Sequence, residues 1–160
     1  MSITEFKDRV NSLLSKGIHE FSMSLGVLAQ IENNSYEIYA VQSNTGAYVP
    51  GEKYALGESY SGEVFDKQKT IAEAGIANSP TPLHHPLYRS LPLESYIGAP
   101  IVINGKPWGC VDFSSMAQRE EPFSEQEIKA VETLAIELSQ LISEIEQKST
   151  RRLKVSSSAP

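Results

Sequence analysis

The sequence predicts a single α/β domain, and three observations carry that prediction. The chain has 160 residues, 40% of them apolar and 21% charged, enough to bury one substantial core and too few for two comfortable ones. Helix-period and strand-period apolar patterns follow one another in the order helix, hairpin, irregular middle, hairpin, long helix. Asn104-Gly105 separates two apolar runs, and this dipeptide most readily adopts the positive φ angles of a tight hairpin turn.

Each element has its own signal. Ile3, Phe6, Val10, Leu13, Leu14 and Ile18 recur at intervals of three and four, which places most of them on one helical face. Ser2 and Glu5 have capping-box spacing at its start, and Gly17 is the expected stop. Met23, Leu25, Val27, Ala29 and Ile31 then alternate as in a strand. Glu32-Asn33-Asn34-Ser35 reads as a turn and 36–41 as the returning strand, giving a hairpin over 22–42. Residues 43–53, dense in Asn, Gly and Pro, predict a loop. A short helix is expected over 60–67 and a small strand over 70–73. Pro80, Pro82, Pro86 and Pro92 forbid a long helix between Gly75 and Leu93 and make a central strand improbable; a pocket-covering segment is the natural reading.

The second hairpin pairs 96–103 with 108–114. The last helix starts at Ser124, where Glu127 has the spacing to complete a capping box and Phe123 and Ile128 that of a hydrophobic staple. Its stripe of Ile128, Val131, Ala135, Leu138, Ile142 and Ile145, widened by Leu134 and Leu141, suits packing on a sheet, a parallel dimer seam, or both. The domain is therefore placed at 1–147, with 148–160, polar and ending Ser-Ser-Ser-Ala-Pro, as a frayed tail or linker.

Charge and cysteine usage narrow the function classes. With 14 basic and 20 acidic residues the net charge is −6, which disfavours phosphate backbones and anionic lipid, so neither nucleic acid nor membrane is an expected partner. The lone cysteine, Cys110, excludes an internal disulfide and fits a reducing cytoplasm. The sequence shows no membrane-length apolar run and no signal-peptide pattern at its start.

The second half carries a resemblance. Tyr96-Ile97-Gly98-Ala99-Pro100-Ile101, Asn104-Gly105, Trp108-Gly109-Cys110-Val111-Asp112-Phe113-Ser114-Ser115 and Pro122-Phe123-Ser124 resemble the closing hairpin and helix start of a GAF domain. Leu56-Gly57 and Ser61-Gly62-Glu63-Val64-Phe65 are similar to its glycine-marked turn and short helix, so that the similarity covers roughly 18–146. The resemblance implies a GAF/PAS-like antiparallel sheet of five or six strands. Helices from both termini are expected on one face, and a ligand pocket on the other beneath the irregular middle. It also implies the role of a sensor that binds a small molecule, or dimerises through its terminal helices, and signals to an effector domain in a longer chain.

The resemblance also suggests where to look for the site. Tyr60, Phe65, His85, Tyr88, Trp108 and Asp112 are the candidate ligand-binding residues, with Asp112 expected to share one side of its strand with Trp108 and Cys110. His84 and His85, in a Pro-bounded loop, are more simply solvent-facing or locally bonded than haem ligands. A bilin is disfavoured because Cys110 lies in a later strand than the chromophore-bearing cysteine of such relatives. Relatives that reduce free methionine sulfoxide use more than one cysteine, and cyclic-nucleotide binders carry an Asn-Lys pair where Ser114-Ser115 stands here, although Phe123 is kept. No metal-ligand spacing, phosphate loop or nucleophile elbow marks a catalytic centre. The expected function is small-molecule sensing without catalysis; the rivals are a dimerisation or scaffold module with a vestigial pocket and, third, a haem-linked sensor using His85.

Overall fold

The computed structural model describes residues 1–160 except 45, 47, 81, 88–92 and 159–160, and for 152–158 it describes the backbone alone. Helix α1, Ile3–Phe21, starts as its sequence predicts, with the Ser2 hydroxyl accepting the Glu5 N–H at 3.1 Å. It does not stop at Gly17. It ends at Ser22, which takes the left-handed conformation (φ 55°). Gly17 is there for close approach instead: a Cβ on it would lie 2.2 Å from Phe113 Cζ.

Strands β1 (Leu25–Glu32) and β2 (Ser35–Ser43) form the first hairpin, turning on Asn33 and Asn34 at φ 51° and 59°. Strand β3 (Lys53–Ala55) pairs with Ser35–Glu37 and begins on the last residue of the stretch read as a loop. Three residues hold no periodic signal, and this strand is defined by backbone pairing alone. Helix α2 (Tyr60–Lys67), strand β4 (Ile71–Glu73) and a single 3₁₀ turn at Ile76–Asn78 follow. Strands β5 (Ser95–Ile103) and β6 (Lys106–Ser115) make the second hairpin, with Asn104 and Gly105 at φ 52° and 74° as the dipeptide demands. Helix α3, Glu125–Ser158, closes the chain.

Among the described residues six strands form one sheet in the order β3-β2-β1-β6-β5-β4, each pairing antiparallel. Both edge strands have three residues, which limits the open hydrogen-bonding edge offered to other chains. The central strands are buried on both faces, so each face builds its own core. On one, Phe6, Val10, Leu14 and Phe21 of α1 and Val131, Leu134, Leu138 and Ile142 of α3 pack on Leu28, Val111 and Phe113. On the other, Tyr60 and Val64 of α2, with Ile76, Leu87 and Leu93 of the irregular middle, cover Val27, Ile31, Tyr36, Ile38, Tyr96 and Cys110. This is the α/β sandwich the sequence predicts, with terminal helices on one face and the Pro-rich segment on the other.

Helix α3 begins on the anticipated capping box: Ser124 Oγ accepts the Glu127 N–H at 3.1 Å, and Glu127 Oε1 accepts the Ser124 N–H at 2.9 Å. Arg119 donates two hydrogen bonds to the same carboxylate, at 2.8 and 3.1 Å, while its guanidinium lies 4.0 Å from the centre of the Phe123 ring. Leu134 and Leu141, expected to leave apolar width for a partner, are spent inside the domain at 3% and 8% exposure. The helix also continues past residue 147 to Ser158. No Gly or Pro interrupts 148–158, so extending an existing helix needs no new nucleus.

Candidate functional site: a buried carboxylate beneath the irregular segment

Strand β6 alternates between the two cores, so Val111 and Phe113 face the terminal helices while Cys110 and Asp112 face the irregular segment. Asp112 is fully buried. A carboxylate in that position demands donors, and the fold brings them from four separate elements. Oδ1 accepts the His85 Nε2–H at 2.7 Å; Oδ2 accepts the hydroxyls of Tyr36 at 2.8 Å and Ser61 at 3.1 Å, and the Cys110 thiol at 3.5 Å. The single Ser61 proton goes to Asp112, so the Tyr96 hydroxyl, 3.0 Å away, must donate to Ser61 Oγ.

Local geometry explains each approach. Ser61 sits in the first turn of α2, whose Ser59 cap accepts the Gly62 N–H at 3.0 Å. Gly98, the β5 partner of Asp112, lets the Tyr96 ring lie along its own strand: a Cβ there would sit 2.4 Å from the Tyr96 hydroxyl. The His85 ring is fixed from both ends, because Nδ1 accepts the Leu87 N–H at 3.0 Å, which leaves Nε2 to carry the proton shared with Asp112. The imidazole meets Tyr36 at 5.6 Å and Tyr96 at 5.8 Å between ring centres, and Tyr60 stacks on Tyr96 at 5.2 Å. The Tyr60 hydroxyl is buried with no hydrogen-bond partner among the described residues.

Burial pushes the phenols of Tyr36 and Tyr96 and the Cys110 thiol well above their ordinary pKa, and the Asp112 carboxylate raises all three further. All three remain protonated donors at physiological pH. Cys110 is thus a hydrogen-bonded core thiol rather than a thiolate nucleophile.

The candidate residues divide. His85 and Asp112 bond directly, Tyr60 joins through Tyr96, and Phe65 packs half-buried at the margin of the same core. Tyr88 lies outside the described residues. Trp108 goes to the other face, a correction to strict alternation. Ile101 pairs with Gly109 and Val102 with Pro107, so Trp108 is the extra residue of a β-bulge and rotates toward the terminal helices. A second bulge, at Tyr39 in β2, turns that ring the same way, and the two meet edge to face at 5.2 Å. Tyr36, Ser61, Tyr96 and Cys110 were not among the candidates. The available signal was a tyrosine on the inward face of a strand, which needs an acceptor that only a buried carboxylate elsewhere could supply.

Beside the cluster a groove of about 760 Å³ runs between residues 53–59 and 84–86, and His85 forms part of its wall. Tyr60 N–H donates to the His84 carbonyl at 2.9 Å, tying that wall to α2. Among the described residues no group of three or more His, Cys, Asp or Glu could hold a metal ion. Nor is any described helix long and apolar enough to cross a membrane.

A family model described as GAF domain matches residues 4–143. The chain belongs to the GAF family. GAF domains are sensory and regulatory modules of signalling proteins, and solved structures share this fold. The GAF domain of an Acinetobacter phosphoenolpyruvate-protein phosphotransferase is 15% identical, with a TM-score of 0.71 over 91% of this chain and 86% of that one. The blue-light-absorbing PixJ GAF domain of Thermosynechococcus elongatus is 16% identical, with a TM-score of 0.72 over 100% and 99%. A free methionine-R-sulfoxide reductase from Neisseria meningitidis, solved with its substrate, is 18% identical, with a TM-score of 0.65 over 89% and 82%. At these identities the likeness shows the fold alone. No curated protein matches the sequence.

Proposed function

We propose that this GAF domain is a cytoplasmic small-molecule sensor that regulates a signalling output and catalyses nothing by itself. One observation carries the reading: a fully buried carboxylate, Asp112, lies beneath the irregular segment where His85 separates it from an adjoining groove. Burying a charge costs several kcal/mol before its partners offset it, and hydrocarbon of the same volume often serves stability as well or better (about 1–4 kcal/mol in known replacements). A polar cluster there suits recognition. Strand β6 supplies the coupling, because Asp112 faces one core and its neighbour Phe113 contacts α1, so a shift of one moves the other. The protonated thiol of Cys110 supports a binding role over a redox one.

The scaffold reading has its own support, since Tyr60, His85, Leu87 and Leu93 are all buried beneath or within the roof and fill the space there. The haem reading has less, since both nitrogens of His85 are already bonded. Native mass spectrometry against a denatured control separates the three. The sensor is expected to carry a small molecule as added mass in the native spectrum alone. A bare mass, with no thermal stabilisation by any compound of a metabolite library, favours the scaffold, and a haem adduct the third reading.

A homodimer through the terminal helices and an effector domain in a longer chain belong to the same proposal, with neither nucleic acid nor membrane as partner. With Leu134 and Leu141 consumed internally, the apolar surface left on α3 includes Ile136, 59% exposed. Sedimentation equilibrium is expected to show a dimer that Ile136→Glu weakens at least ten-fold; a monomer at every concentration removes the dimer from the proposal.

A further inference from the structure

Within the cluster His85 has the geometry of a bound ligand. Its ring comes from an irregular segment rather than from the sheet, donates Nε2–H to Asp112 at 2.7 Å, and is flanked by Tyr36 of β2 and Tyr96 of β5. Those two strands lie on opposite sides of β6, so the rings stand on either side of the carboxylate. Tyr60, stacked on Tyr96, adds a buried hydroxyl without a partner among the described residues. Without the imidazole, the same surroundings present a slot with aromatic walls, a carboxylate at its base and a spare phenol. His85 is also a residue of the groove wall, with its ring fully buried behind that wall, so a small molecule in the groove reaches the slot once this one side chain swings out.

We propose that the His85 imidazole is an internal surrogate, and that the ligand of this domain is a compact planar nitrogen heterocycle which displaces it and donates a ring N–H to Asp112. The inference rests on the sensing reading above. The chemistry is selective: the buried carboxylate repels carboxylates and phosphates at that point, and a flat ring lacking an N–H leaves Asp112 Oδ1 without its donor. The aromatic walls favour a π-face over a saturated ring.

His85→Gly empties the seat without touching Asp112. Imidazole is expected to raise the melting midpoint of this variant saturably, and thiazole, a ring of similar size without an N–H, to give less than a fifth of that shift. Equal stabilisation by the two, or none by imidazole, overturns the proposal. Should the variant fail to fold, the unaltered protein decides. Benzimidazole and indazole are expected to bind and to shift the His85 ring resonances in nitrogen-detected NMR. Benzothiophene and benzoate are expected to leave them in place. Binding that leaves His85 unmoved, or no binding by either N–H donor, overturns it. A copurified compound of another class in the native spectrum would leave the sensing reading standing and remove this one.

Discussion

Asp112→Asn is expected to lower the melting midpoint by on the order of 10 °C, corresponding to about 3 kcal/mol in a domain of this size. Four donors converge on the carboxylate: the His85 imidazole, the Tyr36 and Ser61 hydroxyls and the Cys110 thiol. An asparagine amide offers one acceptor oxygen and turns two hydrogens of its own toward the remaining donors. At least one buried donor then loses its partner, at about 1–3 kcal/mol, and the negative charge that the others point toward is gone. Tyr36→Phe removes one donor and leaves the rest, so about 1 kcal/mol is expected of it. Thermal melts followed by circular dichroism check both. An Asp112→Asn midpoint within about 2 °C of the parent would mean that the cluster contributes nothing to holding the irregular segment in place.

Phe113→Ala is expected to cost about 4 kcal/mol, the usual scale for truncating a fully buried aromatic. The ring meets Phe21 edge to face at 5.1 Å and fills space that two glycines leave open, Gly17 on α1 and Gly26 on β1. The converse change tests the same packing with the opposite intuition. In a free helix Gly→Ala gains about 1 kcal/mol. Here Gly17→Ala is expected to destabilise by about 2 kcal/mol, because the new methyl lands on the aromatic ring and forces repacking. Urea unfolding should show a lower midpoint with an unchanged slope in both variants. Combining Gly17→Ala with Phe113→Leu should restore part of the loss, since the smaller side chain makes room. A stabilised Gly17→Ala variant would contradict the close approach of α1 to β6.

What could be read before the structure was known is local in origin. Both asparagine-containing turns, the Ser2 cap, the capping box at Ser124 and the alternation of β1 rest on residues close to one another in the chain. Each is visible as a short pattern. The short edge strand β3 and the helix continuing through Gly17 were not visible. The first depends on pairing with Ser35–Glu37, and the second on a ring 96 positions away.

The candidate site divides along the same line. His85 and Asp112 stood out because a histidine in a Pro-bounded loop and an acid on an inward strand face are chemically conspicuous. Their hydrogen bond spans 27 positions and the Tyr36–Asp112 bond 76. Trp108 was misplaced because one extra residue in a strand reverses every side chain before it, and a bulge depends on the register of two strands rather than the content of one.

By itself, then, the sequence determined the fold class, the two hairpins, the helix starts and the family, because propensity, capping and apolar period act over a few neighbouring residues. Only the tertiary structure decided that three hydroxyls, one thiol and one imidazole share a single buried carboxylate network, which side of the sheet Trp108 takes, and how much of the α3 stripe remains for a partner. Those outcomes follow from strand order, bulges and close packing, which bring distant residues together through contacts that no local pattern encodes.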